Sequence, residues 1–193
     1  MSIAPENTLL LDIDAGTVTI ELLPELAPLH VERIRTLANE GYYNGTPFHR
    51  VIEGFMAQGG DPTGTGTGGS SLPDLPAEFS PPGKARFVRG TCGMARTANP
   101  NSANSQFFIM FAPASSLDGQ YTIWGRVVDG MDVVDKIKRG AGMNGMVREP
   151  DRVKSMRIGA AQEAAQEAAQ EADPQSPATD AAEGVDSTPA ADA

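Results

Sequence analysis

Several residue patterns in this 193-residue sequence have types that could carry chemistry. Gly64-Thr65-Gly66-Thr67-Gly68-Gly69 satisfies the GxGxxG spacing of a dinucleotide-binding turn. The residues that follow, Ser70-Ser71-Leu72-Pro73-Asp74-Leu75-Pro76, cannot open a helix, so no helix N-terminus would face a pyrophosphate. His30 and His49 are the two histidines, and neither HExxH nor CxxC accompanies them, so no metal site and no cofactor is expected. Cys92, the single cysteine, lies in a strand-like run with no base near it in sequence and reads as a small core hydrophobe. A different density remains. Phe48–Ile52 and Gly54–Asp61 set Arg50 and Gln58 among large apolar residues, and Ser105–Met110 repeats the theme with Gln106. Strand alternation puts Gln106 and Phe108 on one face and Phe107 and Ile109 on the other. On the residues alone, core aromatics with polar edge positions would produce the same pattern.

The elements that must hold these residues are short. Thr8–Asp14 and Thr17–Leu22 alternate as strands about an Ala15-Gly16 turn, a hairpin. Pro28 suits a first helical turn, Val31, Ile34, Leu37 and Ala38 recur at helical spacing, and Gly41 supplies a stop. Further strand-like runs fall at Phe48–Ile52, Phe55–Gln58, Ala85–Val88, Thr91–Ala95, Gln106–Phe111, Thr122–Val128 and Val153–Ile158. Met131–Lys138 has Met131, Val134 and Ile137 on one face and predicts a second, short helix. Between them, residues 59–83 form a 25-residue Gly/Thr/Ser/Pro stretch without periodicity, a length at which loops are usually functional or mobile. The sum is a mainly β fold, an antiparallel sheet closed into a barrel with helices over its open ends.

Composition divides the chain in two. Residues 160–193 contain 13 Ala, 8 acidic residues and no basic one, so most of the formal charge of −10 belongs to this tail. Residues 1–159 keep 15 basic against 17 acidic residues and nearly all large hydrophobes, enough for one core. The tail repeats AAQE and then turns Pro/Asp-rich, which predicts partial helix or disorder and a solubilising role. Nucleic-acid binding is excluded by the lack of a positive footprint. One cysteine excludes an intrachain disulfide framework, no apolar run approaches 18 residues, and the N-terminus has no signal-peptide pattern. A cytoplasmic protein that does not engage membranes is expected.

Long, ordered strings resolve the ambiguity about Arg50 and its neighbours. FHRVIEGFMAQGGDPTGTGTGG at 48–69, GMARTANPNSANSQFFI at 93–109 and LDGQYTIWGRVVDGMDVVDKI at 117–137 resemble the cyclophilins, and in particular their short bacterial type. The resemblance covers roughly residues 8–158 and implies a closed eight-stranded antiparallel barrel with a helix at each end. It also implies peptidyl-prolyl cis/trans isomerase activity on proline-containing peptides and unfolded protein clients, by a monomer assisting folding. Carried over position by position, the catalytic residues are Arg50 and Gln58. The substrate-binding residues are Phe55, Met56, Ala95, Arg96, Gln106, Phe108, Leu117 and Tyr121. Three departures stand out. Ser116 occupies the place where eukaryotic members often carry a cyclosporin-gripping tryptophan, so weak cyclosporin binding is expected. Tyr121 replaces a histidine. Arg96 stands where an asparagine is usual, in a segment (Arg96–Asn104) one residue longer than the common eukaryotic form, a departure that bears on peptide preference. The competing expectation is a proline-binding module that grips the same residue without turnover.

Overall fold

Leu9, Leu11 and Ile13 point inward from β1 (Thr8–Ile13), and Val18, Ile20 and Leu22 do so from β2 (Gly16–Leu22). The hairpin pairs Ile13 with Gly16, so its two-residue turn is Asp14-Ala15, one position earlier than expected. This is seen in a computed structural model that describes residues 3–160. The remaining strands are β3 (Arg50–Ile52), β4 (Met56–Gly59), β5 (Thr91–Met94), β6 (Phe107–Met110), β7 (Ile123–Asp129) and β8 (Ser155–Ile158). They join β1 and β2 in one eight-stranded antiparallel sheet of order β3-β4-β6-β5-β7-β2-β1-β8.

The expected closure of the barrel is not formed as a ladder: β3 and β8 are the two ends of the order. Between these ends lie an isolated bridge, Pro47 with Arg152, and backbone bonds from Phe48 N to Asp151 O (2.9 Å) and from Val153 N to Thr46 O (2.9 Å). The other side of β3 is lined by residues 145–147, through Val51 N to Gly145 O (2.8 Å) and Val147 N to His49 O (2.9 Å). Irregular chain therefore satisfies the edge where a strand pair was predicted. Over the described residues the architecture is mainly β, with eight antiparallel strands and the two α-helices that follow.

Helix α1 (Pro28–Asn39) starts with Pro28 in its first turn and turns Val31, Ile34, Leu37 and Ala38 into the interior. Its N-cap residue, Ala27, has no capping side chain. Glu78, from the long loop, takes that role by accepting Leu29 N at 3.1 Å and His30 N at 3.0 Å, two donors that a helix start leaves unpaired. Helix α2 (Met131–Val134) is shorter than the predicted Met131–Lys138, although Ile137 is buried beyond it. Ala85–Val88 is not a strand. Its backbone is taken up locally: Phe87 N donates to Asp118 Oδ1 (2.7 Å) and Val88 N to Thr91 Oγ1 (3.1 Å).

Two apolar clusters result, one on each face of the central strands. Phe107 and Ile109 join Trp124, Phe48 and Tyr43 in the main core, whereas Phe108 and Met110 face outward with Met56, Phe87 and Ile123. The alternation expected along β6 is thus the division between core and site. Cys92 is fully buried in the main core, where burial pushes its thiol pKa up, as befits a core hydrophobe. Of the acidic tail expected over 160–193, all but Ala160 lies outside the described residues.

Candidate active site

Cross-strand register builds the site. Arg50 on β3 lies opposite Gln58 on β4, Gln58 opposite Phe108 on β6, and Phe108 opposite Gly93 on β5. A transverse row of residues on one sheet face therefore runs from a cation, through an amide, to an aromatic ring, and ends on a residue without a side chain. The neighbouring row, Ile52, Met56 and Met110, lies in the outer apolar cluster. Gly93 is required there. A Cβ on it would lie 2.5 Å from Phe108 Cζ and 2.7 Å from Phe87 Cε1, and these two rings stack with centroids 5.7 Å apart.

Above the row is a cavity of about 230 Å³ lined by Arg50, Phe55, Met56, Gln58, Ala95, Arg96, Phe108, Leu117 and Tyr121. Of the ten site residues predicted from sequence, only Gln106 is missing from that lining. Gln106 instead lines a neighbouring cavity of about 500 Å³ together with Gln58, Ala95 and Arg96. Met56 and Phe108 are buried as the floor, Phe55, Leu117 and Tyr121 are half-buried walls, and Tyr121 meets Phe108 edge-on at 5.8 Å. Ser116 is exposed beside Leu117 on a short 3-10 turn (Ser115–Leu117).

The polar side of the cavity is one directed chain of hydrogen bonds. Arg50 Nε donates to Asn144 O at 2.9 Å, and Arg50 Nη1 donates to Gln58 Oε1 at 3.2 Å. Gln58 Nε2 donates to Gln106 Oε1 at 3.0 Å, and Gln106 Nε2 donates to Gly66 O (3.0 Å) and Gly68 O (2.9 Å). The chain ends in the GxGxxG loop, whose amides surround a side chain of the protein itself. Fully buried Asp61 accepts Thr63 N (2.8 Å) and Thr63 Oγ1 (2.7 Å) on Oδ1, and Gly66 N (2.7 Å) and Gly68 N (3.1 Å) on Oδ2. Burial pushes its carboxyl pKa up, but these donors together outweigh that and hold it below the ordinary value. Sequence reasoning missed Asn144, Asp61 and Phe87, and gave the glycine loop no part in holding Arg50. Asn144 acts through a main-chain carbonyl, which no residue type announces.

Chemically, the site offers arginine cations beside an apolar cup, and its lining residues include no Ser, Cys, His, Lys, Asp or Glu. A family model described as cyclophilin type peptidyl-prolyl cis-trans isomerase/CLD matches residues 8–158. The chain belongs to this cyclophilin-type family. A relative, a probable peptidyl-prolyl cis-trans isomerase of Brucella suis biovar 1, is 56% identical over 168 residues, covering 81% of this chain and 84% of the relative. Among solved cyclophilins, AquaCyp293 from Hirschia baltica has a TM-score of 0.71 at 31% identity, covering 82% of this chain and 76% of its own. A Cryptosporidium parvum cyclophilin crystallised in the presence of the dipeptide Ala-Pro has a TM-score of 0.71 at 30% identity, covering 78% and 98%. The activity of the family, cis/trans isomerisation of peptidyl-prolyl bonds, is thereby that of this chain.

Proposed function

We propose that this chain isomerises Xaa-Pro bonds in peptides and unfolded proteins by seating the proline ring in the cup of Phe55, Met56, Phe108 and Leu117. Arg50 then hydrogen-bonds the proline nitrogen. The reaction makes and breaks no covalent bond; its barrier is lost amide resonance, about 18–20 kcal/mol. The rate equation turns the upper figure into roughly 0.01 s⁻¹, and reaching about 10³ s⁻¹ requires lowering the barrier by roughly 7 kcal/mol. As the amide twists, its nitrogen becomes pyramidal and regains a lone pair that accepts a hydrogen bond, which neither planar isomer offers. A donor aimed there binds the twisted state more strongly than either ground state, which is what catalysis needs.

The observation that carries this reading is how Arg50 is held at the rim of an apolar cup. Its Nε and Nη1 are committed to Asn144 O and Gln58 Oε1. A guanidinium has five N–H groups, so donors remain for the substrate. Gln58 and Gln106 act as positioning residues, and the segment Ala95–Arg96 flanks the residue before proline. Substrates are then exposed Xaa-Pro bonds in flexible chains, where the cis form is populated and exchange is slow. The same reading keeps cyclosporin binding weak, since Ser116 gives the rim no ring to pack on the drug.

The test is cis/trans exchange of a short Ala-Pro peptide, followed by exchange NMR with the intact protein and with Arg50→Ala. The intact protein should accelerate exchange, and the folded variant should lose about two to three orders of magnitude of that acceleration. Peptide binding by the intact protein without faster exchange would establish a proline-binding module instead.

A further inference from the structure

Two arginines and no carboxylate line the proline cup, in a chain whose formal charge is −10. Arg50 is accounted for by the reaction; Arg96 is not. Its Nε and Nη2 donate to Gln120 O at 3.2 and 2.6 Å, and its Nη1 donates to Thr97 O at 2.9 Å. Its guanidinium carbon lies 4.4 Å from the ring centroid of Tyr121 and 5.9 Å from that of Phe79. All of these partners are neutral. The arginine ion pairs among the described residues belong to other arginines, Arg35, Arg89, Arg126, Arg139 and Arg157.

Among the described residues Arg96 is therefore a cation without an ion-pair partner, oriented by carbonyls and rings before any ligand arrives. Three of its five N–H groups are used, which leaves donors for an anion, and its fixed geometry lowers the entropy cost of pairing. It lines both the cup and the wider cavity, so it stands where a peptide passes from one to the other. The wider cavity has its own carboxylate, Asp74, whose Oδ1 accepts Asn104 Nδ2 at 3.0 Å. An acidic side chain is thus favoured next to the cup and opposed farther along the groove.

We propose that Arg96 is a specificity-determining residue that selects an acidic side chain immediately before the proline. This rests on the isomerase reading, with the proline ring in the cup. A half-exposed pair of this kind is worth a few-fold rather than orders of magnitude, so kcat/KM for Glu-Pro should exceed that for Gln-Pro by about three- to fivefold. Lys-Pro should fall below both.

The experiment measures exchange NMR rates on end-blocked Ala-Xaa-Pro-Ala peptides with Xaa Glu, Gln or Lys. Companion peptides place Glu two residues before or one residue after proline. The readout is the Glu/Gln ratio within each protein, which cancels any general loss of active enzyme. The expected result is a wild-type ratio that exceeds unity only with Glu next before proline and shrinks as salt is raised toward about 1 M. That ratio should collapse to near one in Arg96→Gln and invert in Arg96→Glu. An active wild-type protein with a ratio near one, or a ratio unchanged in Arg96→Gln, overturns the selection while leaving the isomerase reading intact. A wild-type protein that accelerates none of the peptides overturns both.

Discussion

Arg50 and the two glutamines behind it form a chain with fixed polarity. The arginine end can only donate, and the carbonyls of Gly66 and Gly68 at the far end can only accept. Neither amide can flip without losing bonds on both sides, so Gln106 restrains Arg50 without touching it. Gln58→Leu removes the Nη1 acceptor and should lower kcat/KM by about 10- to 100-fold, the scale of a misplaced catalytic group. Gln106→Leu should cost less, and the double variant should be no worse than Gln58→Leu alone, because both break one chain. Additive losses in exchange NMR would mean that the glutamines act independently. The site was largely legible at this scale: ten residues carried over by resemblance fall on one cavity wall or its polar extension. What escaped were partners acting through backbone atoms. Asn144 lies 94 positions from Arg50, and only the folded chain brings its carbonyl there.

Strand β5 contributes to the site by leaving something out. Gly93 lets the Phe87–Phe108 stack settle against the sheet, and a methyl group there would overlap both rings. Gly93→Ala should cost about 1–3 kcal/mol as an overpacking change, seen as a lower melting temperature. By tilting the cup floor, it should also weaken peptide binding more than a surface substitution of equal stability cost. Unchanged peptide affinity at lowered stability would separate the ring stack from substrate recognition. The expected elements form where periodicity reports burial directly, as along β1, β2 and α1. The expectation failed at Ala85–Val88, where Ala85 and Phe87 alternate with exposed residues as in a strand but the backbone bonds go to Asp118 and Thr91. It failed again at barrel closure, because residues 145–153 lie along the sheet edge without regular periodicity.

Across the whole molecule, buried histidines set the acid limit of stability. His30 is fully buried, and burial outweighs the Glu78 carboxylate 2.6 Å from its Nδ1; His49 is likewise held below its ordinary pKa by burial. A depressed histidine pKa means that the unfolded chain binds the proton first, so this stability is present above 6.5 and is lost as pH falls below it. Asp12 and Asp61, held below 3.8, add a second loss beneath that value. Denaturant midpoints should therefore plateau above about pH 7, decline below 6.5 and drop again under about 4. His30→Gln should flatten the first decline, and an unchanged decline would assign it to His49 or elsewhere. The glycine loop bears on this scale as well. Its amides hold Asp61, an anion tethered to the same backbone, so occupancy is governed by chain connectivity rather than by mass action. No dilution or dialysis can strip this ligand, and the carbonyls on which the Arg50 chain ends are in place as soon as the polypeptide has folded.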